Sequence, residues 1–223
     1  MTDRDALLRA ICEHPDEDTP RLVFADFLEE EGEGAYAAFV RAQVQLALTP
    51  PWEPFAVACR WRQPGLLTGA GFRHTLPPLG GLAAAVSWAD QPFRRGFGWA
   101  LNVRNPALWD EVVAPVLARQ PVGRVALWSN TTLDDWRRIA ATEGVKQFRE
   151  VAFGSGPIEP LLALRDAPHA AGVTDLYFAR ASGAGMPEVV EDLFRSRLGR
   201  AVRGLHFHMG YESREALIDA LNT

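Results

Sequence analysis

From residue 96 onward, apolar and polar positions follow a form that recurs along the chain. Four segments share the spacing apolar-x-x-apolar-x-apolar: Val122-Gly-Arg-Val125-Ala-Leu127, Phe148-Arg-Glu-Val151-Ala-Phe153, Val173-Thr-Asp-Leu176-Tyr-Phe178 and Val202-Arg-Gly-Leu205-His-Phe207. Their central residues, 125, 151, 176 and 205, lie 26, 25 and 29 residues apart. Phe97-Gly-Trp99-Ala-Leu101-Asn-Val103 fits as a less regular first member, with Leu101 24 residues before Val125. Alternation with a period of two predicts strands. Each strand is followed by apolar residues at helical spacing, which predicts helices over Pro106–Arg119, Leu133–Thr142, Ile158–Asp166, Pro187–Leu198 and Ser213–Leu221.

One strand and one helix every 20 to 30 residues or so is the pattern of a solenoid. It is too short a period for a full-length barrel or doubly wound sheet, whose βαβ units need about 30 residues or more. The strand spacing is the core of the leucine-rich-repeat signature. Here its leucines drift to Val and Phe, and the usual Asn is visible only as Asn130. The expected fold class is therefore α/β: a short leucine-rich-repeat-like β-α solenoid over residues 96–223, in about five units. A general three-layer α/β fold is the alternative.

Residues 1–48 carry helical spacing throughout. Thr2 or Asp3 can cap a helix to about Glu13, which His14-Pro15-Asp16 breaks. Thr19 is the expected N-cap of a second helix to about Glu31, with Pro20 in its first turn. A third runs from Ala35 to Ala47. Residues 49–95 are rich in Pro and Gly yet hold Trp52, Phe55, Trp61, Phe72 and Trp88. A bare linker would not carry so many aromatics, so a connector packed over the core is expected.

The stretch His14-Pro-Asp-Glu-Asp-Thr-Pro-Arg21-Leu-Val-Phe-Ala25-Asp26-Phe-Leu28-Glu29-Glu-Glu-Gly32, with Ala38-Phe-Val-Arg41-Ala-Gln43 after it, resembles the repeat-companion domain of planctomycete-type bacteria. Phe27 stands where that family often has Trp. The likeness covers residues 3–47 or so. Phe93-Arg-Arg-Gly-Phe97 is similar to the Arg-Gly-Phe that opens the first repeat strand in such proteins. The resemblance implies a small all-α module beside repeats and implies no reaction.

Charge sharpens this division. Residues 1–48 hold 11 acidic and 4 basic residues, whereas residues 49–105 hold 2 and 6. The chain as a whole has a formal charge of −5, and nucleic-acid binders usually carry a basic excess, so nucleic acid is a disfavoured partner. Lys146 is the one lysine among 23 basic residues, a composition bias with the arginines scattered along the chain. Cys12 and Cys59 lack metal-ligand spacing, and Cys12 in its apolar helix reads as a buried, reduced thiol. MTDRDALLRA shows no basic-then-apolar leader and no stretch reaches 18 apolar residues, which together predict a cytoplasmic chain with no membrane partner.

Candidate chemistry lies on the strand positions between the buried ones. In a leucine-rich solenoid these face the concave surface, here offering Trp128, Tyr177, His206 and His208, with Arg104 at the rim. Exposed aromatics favour binding; packing beneath the connector is the competing reading. His206-x-His208 has a spacing that some metal sites use, but no carboxylate-rich strand end accompanies it in the sequence. Gly154-Ser-Gly156 and Gly183-Ala-Gly185 read as tight corners rather than nucleotide turns, the third glycine of the fingerprint being absent. The acids around Asp26 and Glu29 read as solvated, with Asp26 pairing Arg21 or Arg41. No nucleophile motif is present. These residues predict a non-enzymatic scaffold that binds an unnamed protein partner and takes no metal or cofactor. A ligand- or metal-binding domain or enzyme centred on His206 and His208 is the alternative.

Overall fold

A computed structural model describes residues 2–50, 52–54, 56, 70–77, 79, 86–89, 92–127, 132–153, 161–165, 167–179 and 186–208. The fold is α/β: an N-terminal helical region and a mostly parallel six-stranded sheet of order β1-β4-β5-β6-β7-β8. The strands are β1 (Val86–Trp88), β2 (Phe93–Arg94), β3 (Phe97–Gly98), β4 (Ala100–Val103), β5 (Arg124–Leu127), β6 (Glu150–Phe153), β7 (Asp175–Ala179) and β8 (Gly204–His208). Contacts divide the chain into two compact units. The first comprises Met1–Gly81, Trp88–Leu101 and Pro115–Val122; the second comprises Leu82–Ser87, Asn102–Ala114 and Gly123–Thr223.

In the first unit, α1 (Asp3–Glu13), α2 (Thr19–Glu30) and α3 (Gly34–Leu48) form as the apolar spacing predicts. Thr2 and Asp5 close a capping box on α1, which satisfies two backbone donors that the first turn leaves free. Asp18, not Thr19, is the N-cap of α2; Thr19 is already helical, with Pro20 in the first turn. The helices bury Ile11, Phe24, Leu28, Phe39 and Val40, but their cluster also takes in Leu76, Phe93 and Phe97. Phe72 stacks on Phe39 at 4.5 Å. Phe72, Leu76 and Phe93 of the Pro/Gly-rich connector are thus core material for the helices, whereas Trp52, expected to pack with them, is 77% exposed.

The Phe93–Phe97 segment is a hairpin, in which β2 and β3 pair antiparallel around a two-residue loop. Arg95 and Gly96 have φ of 53° and 87°, as a type I′ turn requires. This turn docks on the α1–α2 connection. Arg95 donates to the Asp16 carbonyl at 2.7 Å, and its Nε faces Asp18 at 3.3 Å. Tyr36 donates to the Gly96 carbonyl at 3.0 Å. Arg21 is buried beneath. It donates to the carbonyls of Glu17 and Pro15 and lies 5.8 Å from the Phe97 ring centre. Burial, with Arg95 close by, pushes its guanidinium down to about 10. Arg21 is therefore no partner of Asp26, whose carboxylate accepts from Arg41 at 2.7 Å.

The expected first strand, residues 97–103, is interrupted at Trp99: β3 folds back on β2, while β4 joins the larger sheet. The expected Pro106–Arg119 helix forms in three pieces, 3₁₀ over Pro106–Leu108, π over Trp109–Val113 and α over Ala114–Leu117. The π turn places Trp109 fully buried, edge-on to Phe148 at 6.0 Å.

In the second unit, β5 to β8 pair parallel in chain order. Val125, Val151 and Leu176 share one register, as do Leu127, Phe153 and Phe178, and all six are buried. Phe153 and Phe178 stack at 5.0 Å with 6° between planes, and Trp136 stacks on Phe153 at 4.9 Å. One backbone motif recurs at each step. The Gly123 carbonyl accepts from the amides of Arg149 and Glu150, the Arg149 carbonyl from Thr174 and Asp175, and the Thr174 carbonyl from Arg203 and Gly204. Helices follow at Leu133–Ala140, Leu161–Arg165, Met186–Arg195 and Arg197–Ala201. The last two replace a single expected helix, Pro187–Leu198. Ser196 separates them, its hydroxyl donating to Leu193 and accepting from the Gly199 amide. The expected Ser213–Leu221 helix and both glycine corners lie outside the described residues.

Two outcomes follow. A Cβ at Gly96 would lie 2.8 Å from the Val40 Cα, in a left-handed conformation as well. Gly96→Ala is expected to destabilise the chain by about 1–3 kcal/mol in urea unfolding; an unchanged midpoint would show that the hairpin is not anchored there. Cys12 is half-buried rather than fully buried, and burial raises its thiol to about 11. In a Cys59→Ser variant, Cys12 should therefore alkylate at pH 8 roughly a hundredfold more slowly than an unperturbed thiol. A raised thiol pKa contributes stability that is present below the unfolded value and is lost as pH rises toward 11.

Candidate functional site

The parallel strands expose the face opposite the buried rows. Register aligns Arg124 with Glu150, Asp175 and Gly204, and Ala126 with Ala152, Tyr177 and His206. Side chains of the two rows meet because successive residues of a strand point to opposite sides of the sheet. Tyr177 stands at their centre. Its ring stacks on His206 at 4.2 Å with 8° between planes. The Arg124 guanidinium carbon lies 5.0 Å from the same ring centre. Arg124 and His206 belong to strands on either side of Tyr177, separated from it by β6 in one direction and adjacent in the other.

Carboxylates flank this stack. Asp175 faces His206 Nε2 at 3.4 Å with one oxygen and accepts from the Thr174 hydroxyl at 2.8 Å with the other. Glu150 is 3.9 Å from Arg124. Gly204 sits in register with Asp175, and a Cβ there would collide with the Asp175 carboxylate and approach His206 Nε2 to 2.8 Å. The glycine is what leaves room for the acid beside the imidazole. Partial burial raises the Tyr177 phenol above its ordinary value, with the negative charges of Glu150 and Asp175 adding to the shift and Arg124 opposing it.

Of the residues expected to form a binding face, Tyr177 and His206 are brought into direct contact. His208 ends β8 in register with Ala179, and its side chain lies outside the described residues. Trp128 lies outside them altogether. Arg104 is exposed immediately after β4. Arg124, Glu150 and Asp175 were not among the expected residues. They were available to the same reasoning, because alternation carried back two positions from Ala126, Ala152 and Tyr177 puts them on the same face.

The arrangement offers an aromatic platform with a cation above it and acids beside it. Among the described residues, no group of three or more His, Cys, Asp or Glu side chains could hold a metal ion, and no helix is long and apolar enough to cross a membrane. The chain matches no family model, no curated protein and no solved structure.

A double-mutant cycle of Arg124→Ala with Tyr177→Ala, followed by urea unfolding, should give a coupling energy of about 0.5–1 kcal/mol, as for a solvent-accessible cation–π pair. A coupling of zero would mean that the platform is not held together by this contact.

Proposed function

We propose that the chain is a non-enzymatic protein-interaction scaffold: a short leucine-rich-like solenoid, headed by a repeat-companion-like helical module, that captures a protein partner on its exposed strand face. The observation that carries this reading is the Arg124–Tyr177–His206 stack, aligned by strand register on a face that the described residues leave open. Tyr is enriched among the residues that dominate binding energy. The His206 stack and the nearby Arg124 guanidinium restrain the Tyr177 ring before a partner arrives, which lowers the ordering cost of association. The recurring carbonyl motif supports the repeat reading, since each strand meets the next in the same way.

The rival reading places a ligand or metal site near His206 and His208. The proximity of Asp175 to His206 favours it, and metal content of the purified protein addresses it directly.

The test is affinity capture from native lysate with wild type and with Tyr177→Ala/His206→Ala, after near-UV circular dichroism has shown both to be folded. A partner held by wild type should bind the double variant at least thirtyfold more weakly, as loss of a hot spot of about 2 kcal/mol implies. Equal capture by both would remove the strand face from the interaction.

A further inference from the structure

Arg195-Ser-Arg197-Leu-Gly-Arg200-Ala-Val-Arg203 places four arginines in nine residues without an acid among them. All four are exposed, so the arginines of this chain are not evenly scattered. At the start of the segment lies an open cavity of about 440 Å³, with Arg165, Asp192, Arg195, Ser196 and Arg197 among its lining residues. Two of the guanidiniums are matched by acids: Arg165 pairs with Asp192, and Arg195 pairs with Glu191 at 2.5 Å. Arg197, Arg200 and Arg203 make no ion pair among the described residues. The segment is therefore locally cationic in a chain of net charge −5.

We propose that this cavity binds the phosphate group of a small phosphorylated molecule. The guanidinium fork matches phosphate oxygens two at a time. The volume falls within the range of about 300–1,000 Å³ typical of small-molecule sites. The geometry also converges. Ser196 donates to the Leu193 carbonyl at 2.5 Å and accepts from the Gly199 amide at 3.1 Å, fixing the corner between two helices. Arg195 ends one helix and Arg197 begins the other, so the corner presents two cations to one cavity. Arg165 reaches it from a third helix, Leu161–Arg165. Among the described residues Arg197 is the cavity's cation without an acidic partner, which an anion engages without displacing an internal acid. The acids Glu191 and Asp192 bordering the arginines disfavour a long polyanion and favour a compact one. None of this depends on the strand face around Tyr177.

Isothermal titration of the full chain with sodium pyrophosphate, at constant ionic strength set with chloride, tests the proposal. Wild type should bind saturably, near one site per chain. Arg197→Gln should bind about tenfold more weakly, with unchanged near-UV circular dichroism because the side chain is exposed. Arg197→Lys, which keeps the charge and loses the fork, should fall between them. Tyr177→Ala should bind as wild type does. Absence of saturable binding would overturn the proposal, as would wild-type affinity in Arg197→Gln. A single-stranded oligonucleotide that bound more tightly than pyrophosphate, with the same dependence on Arg197, would also overturn it in favour of a nucleic-acid surface.

Discussion

Three carbonyls set the geometry on which the second unit depends. Those of Gly123, Arg149 and Thr174 each accept two consecutive amides from the start of the next strand. A backbone carbonyl has two lone pairs and can hold both donors. The double bond pins where each strand begins, and in a strand the starting point decides which side chains face the core. A slip of one residue would turn Val125, Val151 and Leu176 to solvent and bury Arg124, Glu150 and Asp175. The cost of burying such charges without partners is large, so one register is strongly preferred. The aromatic platform follows from that register: Tyr177 and His206 are neighbours because Asp175 and Gly204 are.

This explains which parts of the molecule were legible in the sequence. The buried rows were, because alternation of Val, Leu and Phe with polar residues is a direct image of a strand with one covered face. The three N-terminal helices were legible for the same reason at a period of 3.6. The exposed face was half legible. Tyr177 and His206 stood out as large residues at outward positions, whereas Arg124, Glu150 and Asp175 looked like ordinary surface charges. Their significance lies in contacts between residues 26 to 53 positions apart, Arg124 with Glu150 and Tyr177 and Asp175 with His206, and a pattern read along one strand does not contain those contacts. The interruption at Trp99 was hidden similarly. Apolar alternation runs through residues 97–103, and only the hairpin pairing of Phe97 with Arg94 shows where one strand stops.

The first unit shows how two short motifs, far apart in sequence, become one structure. His14-Pro-Asp-Glu-Asp18 and Phe93-Arg-Arg-Gly-Phe97 meet directly, through Arg95 to Asp16 and Asp18 and through Arg21 beneath Phe97. Arg95 adopts a positive φ that non-glycine residues rarely take. The carbonyl and carboxylate it reaches, and the Tyr36 hydroxyl that holds Gly96, offset that strain. Phe93, Phe97 and Leu76 complete the helical core. The helices of residues 3–48 therefore share their interior with later parts of the chain.

The near-absence of lysine acquires a physical sense from these contacts. A guanidinium is planar, stacks on rings and donates in several directions at once; an ammonium does neither of the first two. Arg4 lies against Phe24, Arg21 against Phe97, Arg94 against Trp99 and Arg124 against Tyr177. Arg21, Arg95, Arg138 and Arg149 each donate to backbone carbonyls of other residues. In these places arginine acts as a flat structural piece that also carries charge. Replacing any of them by lysine would keep the net charge and lose the stacking plane and the fork. Composition alone suggested a bias without consequence. The contacts show that the fold uses the shape of the guanidinium group as much as its charge, both in the first core and on the exposed strand face.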